Sequence, residues 1–322
     1  MLLGYALAGA GLVGLSLAIV AAGGLPWRLA PGTAAIEDDV RTLHEARCVS
    51  LGAAPKLSPE CVPPAGSRNA IAVFGDSHAA ALAPGLQELA RRKGWVAQVF
   101  AKPSCRPLVG VTVWRADQPG LAADCLRFTD QVFARIAADP AIRTVLLVGQ
   151  WSGPIVNPER LEHYAGRDVA EATTPRATLL AEGLGGAADL LSRSGKTVFI
   201  AGDVPFWPFD AARSAFVRSI RLRAWLEEIL EPGSAARAGL AIPALRDAKV
   251  DDLVAETARK SGVRYIDLAT GLCPGGMCRY QADGSLLFAD AHHMTYAGAM
   301  RALEPWAGMV FDGTPTPPGV YR

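Results

Sequence analysis

The sequence carries almost no net charge: 32 Lys and Arg stand against 31 Asp and Glu, leaving +1 over 322 residues. It has no basic block and no interleaving of basic with aromatic residues, so nothing supports nucleic-acid binding. No internal repeat is evident, which argues against a solenoid or propeller. Histidine is scarce, confined to His44, His78, His163, His292 and His293. Long hydrophobic runs are scarcer still. There is one, at the N-terminus, so the sequence offers a single candidate span.

Met1 to Leu25 contains no charged side chain, and Leu2 to Ala22 is almost wholly apolar. Such a run crosses about 30 Å of hydrocarbon as a helix. A signal peptide cleaved near Ala21-Ala22 is the rival, but the run lacks a basic n-region and is long for an h-region. A retained transmembrane anchor over residues 1–27 is therefore expected. Arg28 is the only nearby basic residue, so the charge rule leaves orientation open.

Cysteine supplies the orientation. Cys48, Cys61, Cys105, Cys125, Cys273 and Cys278 all follow the apolar run. They group by proximity into Cys48–Cys61, Cys105–Cys125 and Cys273–Cys278, although sequence leaves the connectivity open. Their even number and loop-rich surroundings point to disulfides in an oxidising compartment. Only Cys273-x4-Cys278 has ligand-like spacing, so no metal and no cofactor is expected. The expected location is the inner membrane, single-pass, with the globular part in the periplasm.

Residues 28–69 are rich in Pro, Ala and polar side chains and read as a linker stapled by Cys48 and Cys61. Residues 70–312 are long enough for one α/β domain with a substantial core. Residues 313–322, with Pro315 to Pro318, read as a tail. Within the domain, strands are expected at Ile71–Phe74, Trp95–Ala101, Thr144–Val148, Thr197–Ala201 and Val263–Asp267. They alternate with helices expected at Ala79–Lys93, Ala122–Ala138, Ala177–Ser194, Ala211–Ile229 and Ala244–Ser261. That alternation is the pattern of a doubly wound, mostly parallel sheet with helices on both faces. Loops at the carboxyl ends of its strands would form the site.

Gly75-Asp76-Ser77-His78 lies at the first strand-to-helix junction. A serine there sits on a sharp turn, its hydroxyl exposed and helix N-terminal amides beside it. It needs a base and an orienting acid. Asp290-Ala291-His292-His293 supplies both: His293 would take the serine proton, and Asp290 would hold the imidazole. The Asp-x-x-His register favours His293 over His292. Either motif alone reads as a turn or a helix cap; together, at opposite ends of one domain, they read as a triad. Asp76 caps the following helix or lines the site, and His78 lines the pocket. Asp203 to Phe209, rich in aromatics and proline, covers core or forms a sugar-stacking lip.

The pair Gly-Asp-Ser-His and Asp-x-x-His resembles the SGNH/GDSL hydrolase superfamily. With Leu25-Pro26-Trp27-Arg28, Ser104-Cys105-Arg106-Pro107-Leu108 and Asp290 to Met294, it is most similar to periplasmic SGNH domains that work beside acyltransferase-3 membrane proteins. The resemblance implies a three-layer α/β/α domain preceded by one transmembrane helix. By motif, Ser77 maps to the nucleophile, Asp290 to the acid and His293 to the base. Where the superfamily has an oxyanion-binding asparagine, this chain has Trp151, in Gly149-Gln150-Trp151-Ser152. The Trp151 indole or the Gln150 amide would then donate, the alternative being that Trp151 packs against the sheet edge or stacks on a sugar; Gly110 is a candidate for the glycine donor.

The implied activity is O-acylation, acetyl foremost, of a surface or periplasmic glycan such as lipopolysaccharide O-antigen through an acyl-serine. The implied partners are the glycan acceptor and a multi-span membrane acyltransferase that supplies the donor. The alternatives are a carbohydrate esterase using the same triad and, from a different class, a non-catalytic glycan-binding module.

Overall fold

The computed structural model describes residues 2–22, 48–66, 68–156, 162–167, 174–230 and 239–314. A helix α1 runs over Leu2–Ala21. Its Tyr5, Leu12, Val13, Leu15, Leu17 and Val20 are exposed, and the side chains of several other α1 residues lie outside the described set. Among the described residues, no helix is long and apolar enough to cross a membrane, so the anchor expected over residues 1–27, of which 1 and 23–27 lie outside the described set, is not shown.

The sheet is built from β1 (Ala70–Gly75), β2 (Val96–Ala101), β4 (Ile142–Val148), β6 (Thr197–Ala201) and β8 (Arg264–Ile266), in the order β2-β1-β4-β6-β8. Every neighbouring pair is parallel. Parallel pairing requires crossovers. These are supplied by α2 (Ser77–Arg92), α3 (Leu121–Ala138), α4 (Arg176–Arg193) and α7 (Ala248–Lys260).

Alternation along β1 shows why three layers form. Ile71 and Val73 join a core with Leu82, Leu86 and Leu89 of α2 and with Ala299, Ala302 and Leu303 of α8 (Tyr296–Leu303). Ala70, Ala72 and Phe74 join the opposite core, with α3, α4 and α7. Phe74 sits edge-on to Phe133, ring centroids 5.0 Å apart, a geometry worth about 0.5–1.5 kcal/mol beyond burial.

Two helix expectations change, and strands outside the expected alternation are added. An antiparallel pair, β3 (Val111–Arg115) with β5 (Glu162–Gly166), stands outside the main sheet. The helix expected over 211–229 divides into α5 (Ala211–Arg218) and α6 (Arg221–Leu230). At the break, the Ser219 hydroxyl donates to the Phe216 carbonyl and competes with helix continuation. The next helix starts later than expected because Asp247 caps it, accepting from the Lys249 and Val250 amides; a short strand β7 (Gly239–Ala241) precedes it.

Of the stretch read as linker, residues 28–47 and 67 lie outside the described residues, whereas 48–66 packs onto the domain. Cys61 is fully buried, its carbonyl accepts the Val99 amide at 2.7 Å, and the Ser50 amide donates to Ala101. This segment covers β2, which would otherwise be an unprotected sheet edge. Disulfides join Cys48–Cys61, Cys105–Cys125 and Cys273–Cys278. Of the expected tail, residues 315–322 lie outside the described set.

Candidate active site

The sheet reverses its direction of growth between β1 and β4, and that switch point opens a crevice at the carboxyl ends of the strands. β1 and β4 can approach closely there because residue 75 is glycine. A Cβ at Gly75 would fall onto the backbone carbonyl of Val148. Asp76 follows as the N-cap of α2, accepting from the His78 amide at 2.9 Å, and Ser77 is the first helical residue. The cap fixes the turn that presents the Ser77 hydroxyl.

Asp76 does more than cap. It is 1% exposed; its second oxygen accepts the Gln150 amide at 2.8 Å and lies 3.3 Å from Arg106 Nε. Arg106 also donates to the Gln150 and Ser104 carbonyls, both at 3.0 Å. Burial alone would raise the Asp76 carboxyl. The adjacent His78 ring, the Arg106 guanidinium and the Gln150 amide together hold it well below the usual carboxylate range. One buried anion thus locks the end of β1 to the end of β4 and to the loop after β2.

The Asp290 loop meets Ser77 from the other side. Asp290 Oδ1 accepts the His292 and His293 amides at 2.8 and 2.7 Å, a tight Asx turn. Its Oδ2 faces His293 Nδ1 at 2.6 Å, and His293 Nε2 faces Ser77 Oγ at 2.8 Å. Burial raises the Asp290 carboxyl, but the His293 ring and the two amides outweigh it and hold it well below the usual range. The loop is braced from behind: the Trp207 amide donates to Ala291 at 2.7 Å, and Thr295 caps α8. Nucleophile, base and acid therefore form one hydrogen-bonded line, held at both ends by backbone.

Sequence expectation fails at the oxyanion residues. Trp151 is fully buried, and its indole N–H donates to the Ala201 carbonyl at 2.8 Å. Its amide and that of Ser152 donate to Asp203, at 2.8 and 2.9 Å. The indole is thus a core group that ties β4 to β6 and is not an oxyanion donor. The Gln150 amide is committed to Asp76, and its carboxamide packs against Gly153. Gly110 turns the chain with φ 71° into β3, where the neighbouring Val109 amide donates to Gly183 of α4.

The aromatic segment divides its roles. Trp207 is core, 1% exposed, while Phe206 is 37% exposed and stacks on His292 with centroids 4.7 Å apart. His78 is buried, stacks on His292 in turn and places its Nε2 3.2 Å from His292 Nδ1. Two contributors carried no role in the sequence reading beyond their place in a motif or a loop, Arg106 and Asp203. Each acts through bonds to backbone that residue spacing does not reveal.

Residues 47–307 match the family described as SGNH domain (fused to AT3 domains). The chain belongs to this SGNH domain family. Among solved structures, this SGNH domain is similar to the lipopolysaccharide acetyltransferase periplasmic domain from Salmonella ser. Paratyphi A. The likeness has 17% identity and a TM-score of 0.60, covering 85% of this chain and 96% of that one. It is also matched to an active-site mutant of a family two carbohydrate esterase from Clostridium thermocellum, at 13% identity and a TM-score of 0.40, over 78% and 65% of the two chains. A putative acylhydrolase from Bacteroides fragilis matches at 11% identity and a TM-score of 0.34, over 78% and 92%. No curated protein matches. At these identities the Salmonella likeness establishes the fold of the SGNH domain, and the site itself carries the chemistry.

Proposed function

We propose that this SGNH domain is an O-acyltransferase that moves an acyl group, acetyl foremost, through Ser77 onto a hydroxyl of a cell-surface or periplasmic glycan. The observation that carries this reading is the line Asp290–His293–Ser77, with contacts of 2.6 and 2.8 Å.

In the first half-reaction Ser77 Oγ attacks the donor's acyl carbon while His293 Nε2 takes the hydroxyl proton. Ser77 stands in the first turn of α2, where the positive end of the helix dipole favours the oxyanion. His293 then gives its proton to the departing donor oxygen or sulfur, leaving an acyl-serine. In the second half a glycan hydroxyl loses its proton to His293, attacks the acyl carbon and expels Ser77 Oγ, which recovers the proton. Asp290 stays ionised throughout and stabilises the imidazolium. Water in place of the sugar makes the same site an esterase.

Three observations support the setting. The family description couples such domains to AT3 modules. The disulfides fit an oxidising compartment. The exposed apolar side chains of α1 would be costly in water and are relieved in a bilayer. On this reading the N-terminal segment that includes α1 anchors the protein in the inner membrane, the domain faces the periplasm, and a multi-span acyltransferase module delivers the acyl donor.

The test is partition of the acyl-enzyme. Purified protein given p-nitrophenyl acetate should form an acetyl-Ser77 adduct detectable by mass spectrometry. Added acceptor oligosaccharide should divert acetyl from water to sugar. Ser77→Ala and His293→Ala should each abolish both outcomes, since the two groups act as a unit. Rapid hydrolysis that no glycan diverts would establish the esterase instead, and full activity in Ser77→Ala would remove the triad assignment.

A further inference from the structure

Three of the five histidines in the chain converge at the site: one ring nitrogen from each of His78, His292 and His293 lies within 4.8 Å of the others. The acyl-transfer steps use His293, and His78 and His292 take no part in them.

Their arrangement has the marks of a ligand set. His78 Nε2 and His292 Nδ1 face each other at 3.2 Å. A tetrahedral ion with metal–nitrogen bonds of about 2.0–2.1 Å holds its nitrogens roughly 3.3 Å apart; the His78–His292 pair already has that spacing, and the three nitrogens together, within 4.8 Å of one another, would close onto the ion. Two of the three rings have a carboxylate behind them. Asp290 Oδ2 is 2.6 Å from His293 Nδ1, and Asp76 Oδ1 is 3.4 Å from His78 Nδ1. A carboxylate on the far nitrogen fixes the tautomer and raises the basicity of a metal-bound imidazole. His78 Nδ1 is buried and completes no hydrogen bond, which leaves it able to tighten onto Asp76 when Nε2 takes a ligand. Three imidazoles with no carboxylate directly in the set select a borderline ion such as Zn²⁺ over Mg²⁺ or Ca²⁺.

We propose that His78, His292 and His293 form an inhibitory site for a divalent transition ion, zinc foremost, which binds His293 Nε2 in place of the Ser77 hydroxyl. The lone pair that would accept the serine proton is then donated to the metal, and Ser77 loses its base. The fourth position falls to water or to Ser77 Oγ. That binding switches the enzyme off rests on the acyl-serine reading; binding itself does not.

The test uses untagged full-length protein, freed of metal by chelator. Titration with ZnCl₂ is followed by calorimetry, titration with CoCl₂ by visible absorption, and p-nitrophenyl acetate hydrolysis is read in parallel. The expected result is one ion per chain, a tetrahedral cobalt spectrum and a loss of hydrolysis that chelator reverses. Ser77→Ala should still bind zinc. His292→Phe keeps the ring stack against Phe206 and removes one ligand, so zinc affinity should fall by about a hundredfold. Absence of stoichiometric binding, or equal affinity in wild type and His292→Phe with both folded by circular dichroism, overturns the site. Stoichiometric binding lost in His292→Phe, in a protein that forms no acetyl-Ser77 adduct even when metal-free, upholds the site and refutes the acyl-serine reading.

Discussion

Removing Arg106 should cost more than removing any surface charge of this protein. The Arg106 and Asp76 side chains are each 2% exposed, with Nε 3.3 Å from Oδ2. In Arg106→Ala the Asp76 carboxylate keeps the His78 and Gln150 amides but loses its counter-charge in a site closed to water. Breaking one side of a buried pair typically costs about 3–5 kcal/mol. The Gln150 and Ser104 carbonyls lose their donor as well. For a domain of this size about 1 kcal/mol moves Tm by roughly 2–4 °C, so the variant should melt about 6–20 °C below wild type.

The assay is thermal denaturation by circular dichroism under oxidising conditions, so that the Cys105–Cys125 bridge beside Arg106 stays closed. Activity should fall as well, because the Asp76 anchor sets the turn that carries Ser77. A Tm loss below about 2 °C with full hydrolysis would refute the claim that this pair locks β1 to β4. The paired change Asp76→Leu with Arg106→Leu should be less damaging than the sum of the single changes, since it leaves no orphaned charge.

Trp151→Phe should lower stability by about 1–3 kcal/mol, through the unpaired Ala201 carbonyl, while leaving kcat for a small soluble ester close to wild type. A large selective loss of kcat in a stable protein would return the indole to the oxyanion site. Asp290 has a folded-state pKa held below its unfolded one, so its stabilisation is present above about pH 4 and is lost as pH falls through the folded value. Denaturation of Asp290→Asn should therefore show a deficit against wild type at pH 7 that narrows at pH 3; an equal deficit at both pH values would contradict the linkage. Gly75→Ala should fail to give folded protein, because its Cβ has no space against the Val148 carbonyl; a normal melting curve would contradict the β1–β4 approach.

Much of the design was present in residue order alone. Most strands of the main sheet are short apolar runs, and each crossover helix has a one-sided apolar face, so period and punctuation defined the α/β alternation. Spacing in Asp-x-x-His put His293 rather than His292 against the acid, because three residues of one tight turn bring Nδ1 back onto its own carboxylate. Cysteine proximity paired all six thiols correctly, since short loops keep such pairs within reach.

Tertiary structure decided the rest, wherever a group's role depends on what closes over it from far along the chain. Trp151 follows a strand at the edge that forms the site, and sequence position alone made it a site residue. Its ring instead turns inward because Ala201, fifty residues on, offers a carbonyl and the sheet offers a place to bury it. Asp76 could be read as a cap but not as an anchor, because Arg106 and Gln150 arrive from two other loops. The antiparallel pairing of β3 with β5 joins segments far apart in the chain whose sequences show no partner for each other. The meeting of His78 with His292 and His293 is of the same kind: local sequence sets which atoms a residue offers, and only the folded sheet sets which atoms it meets.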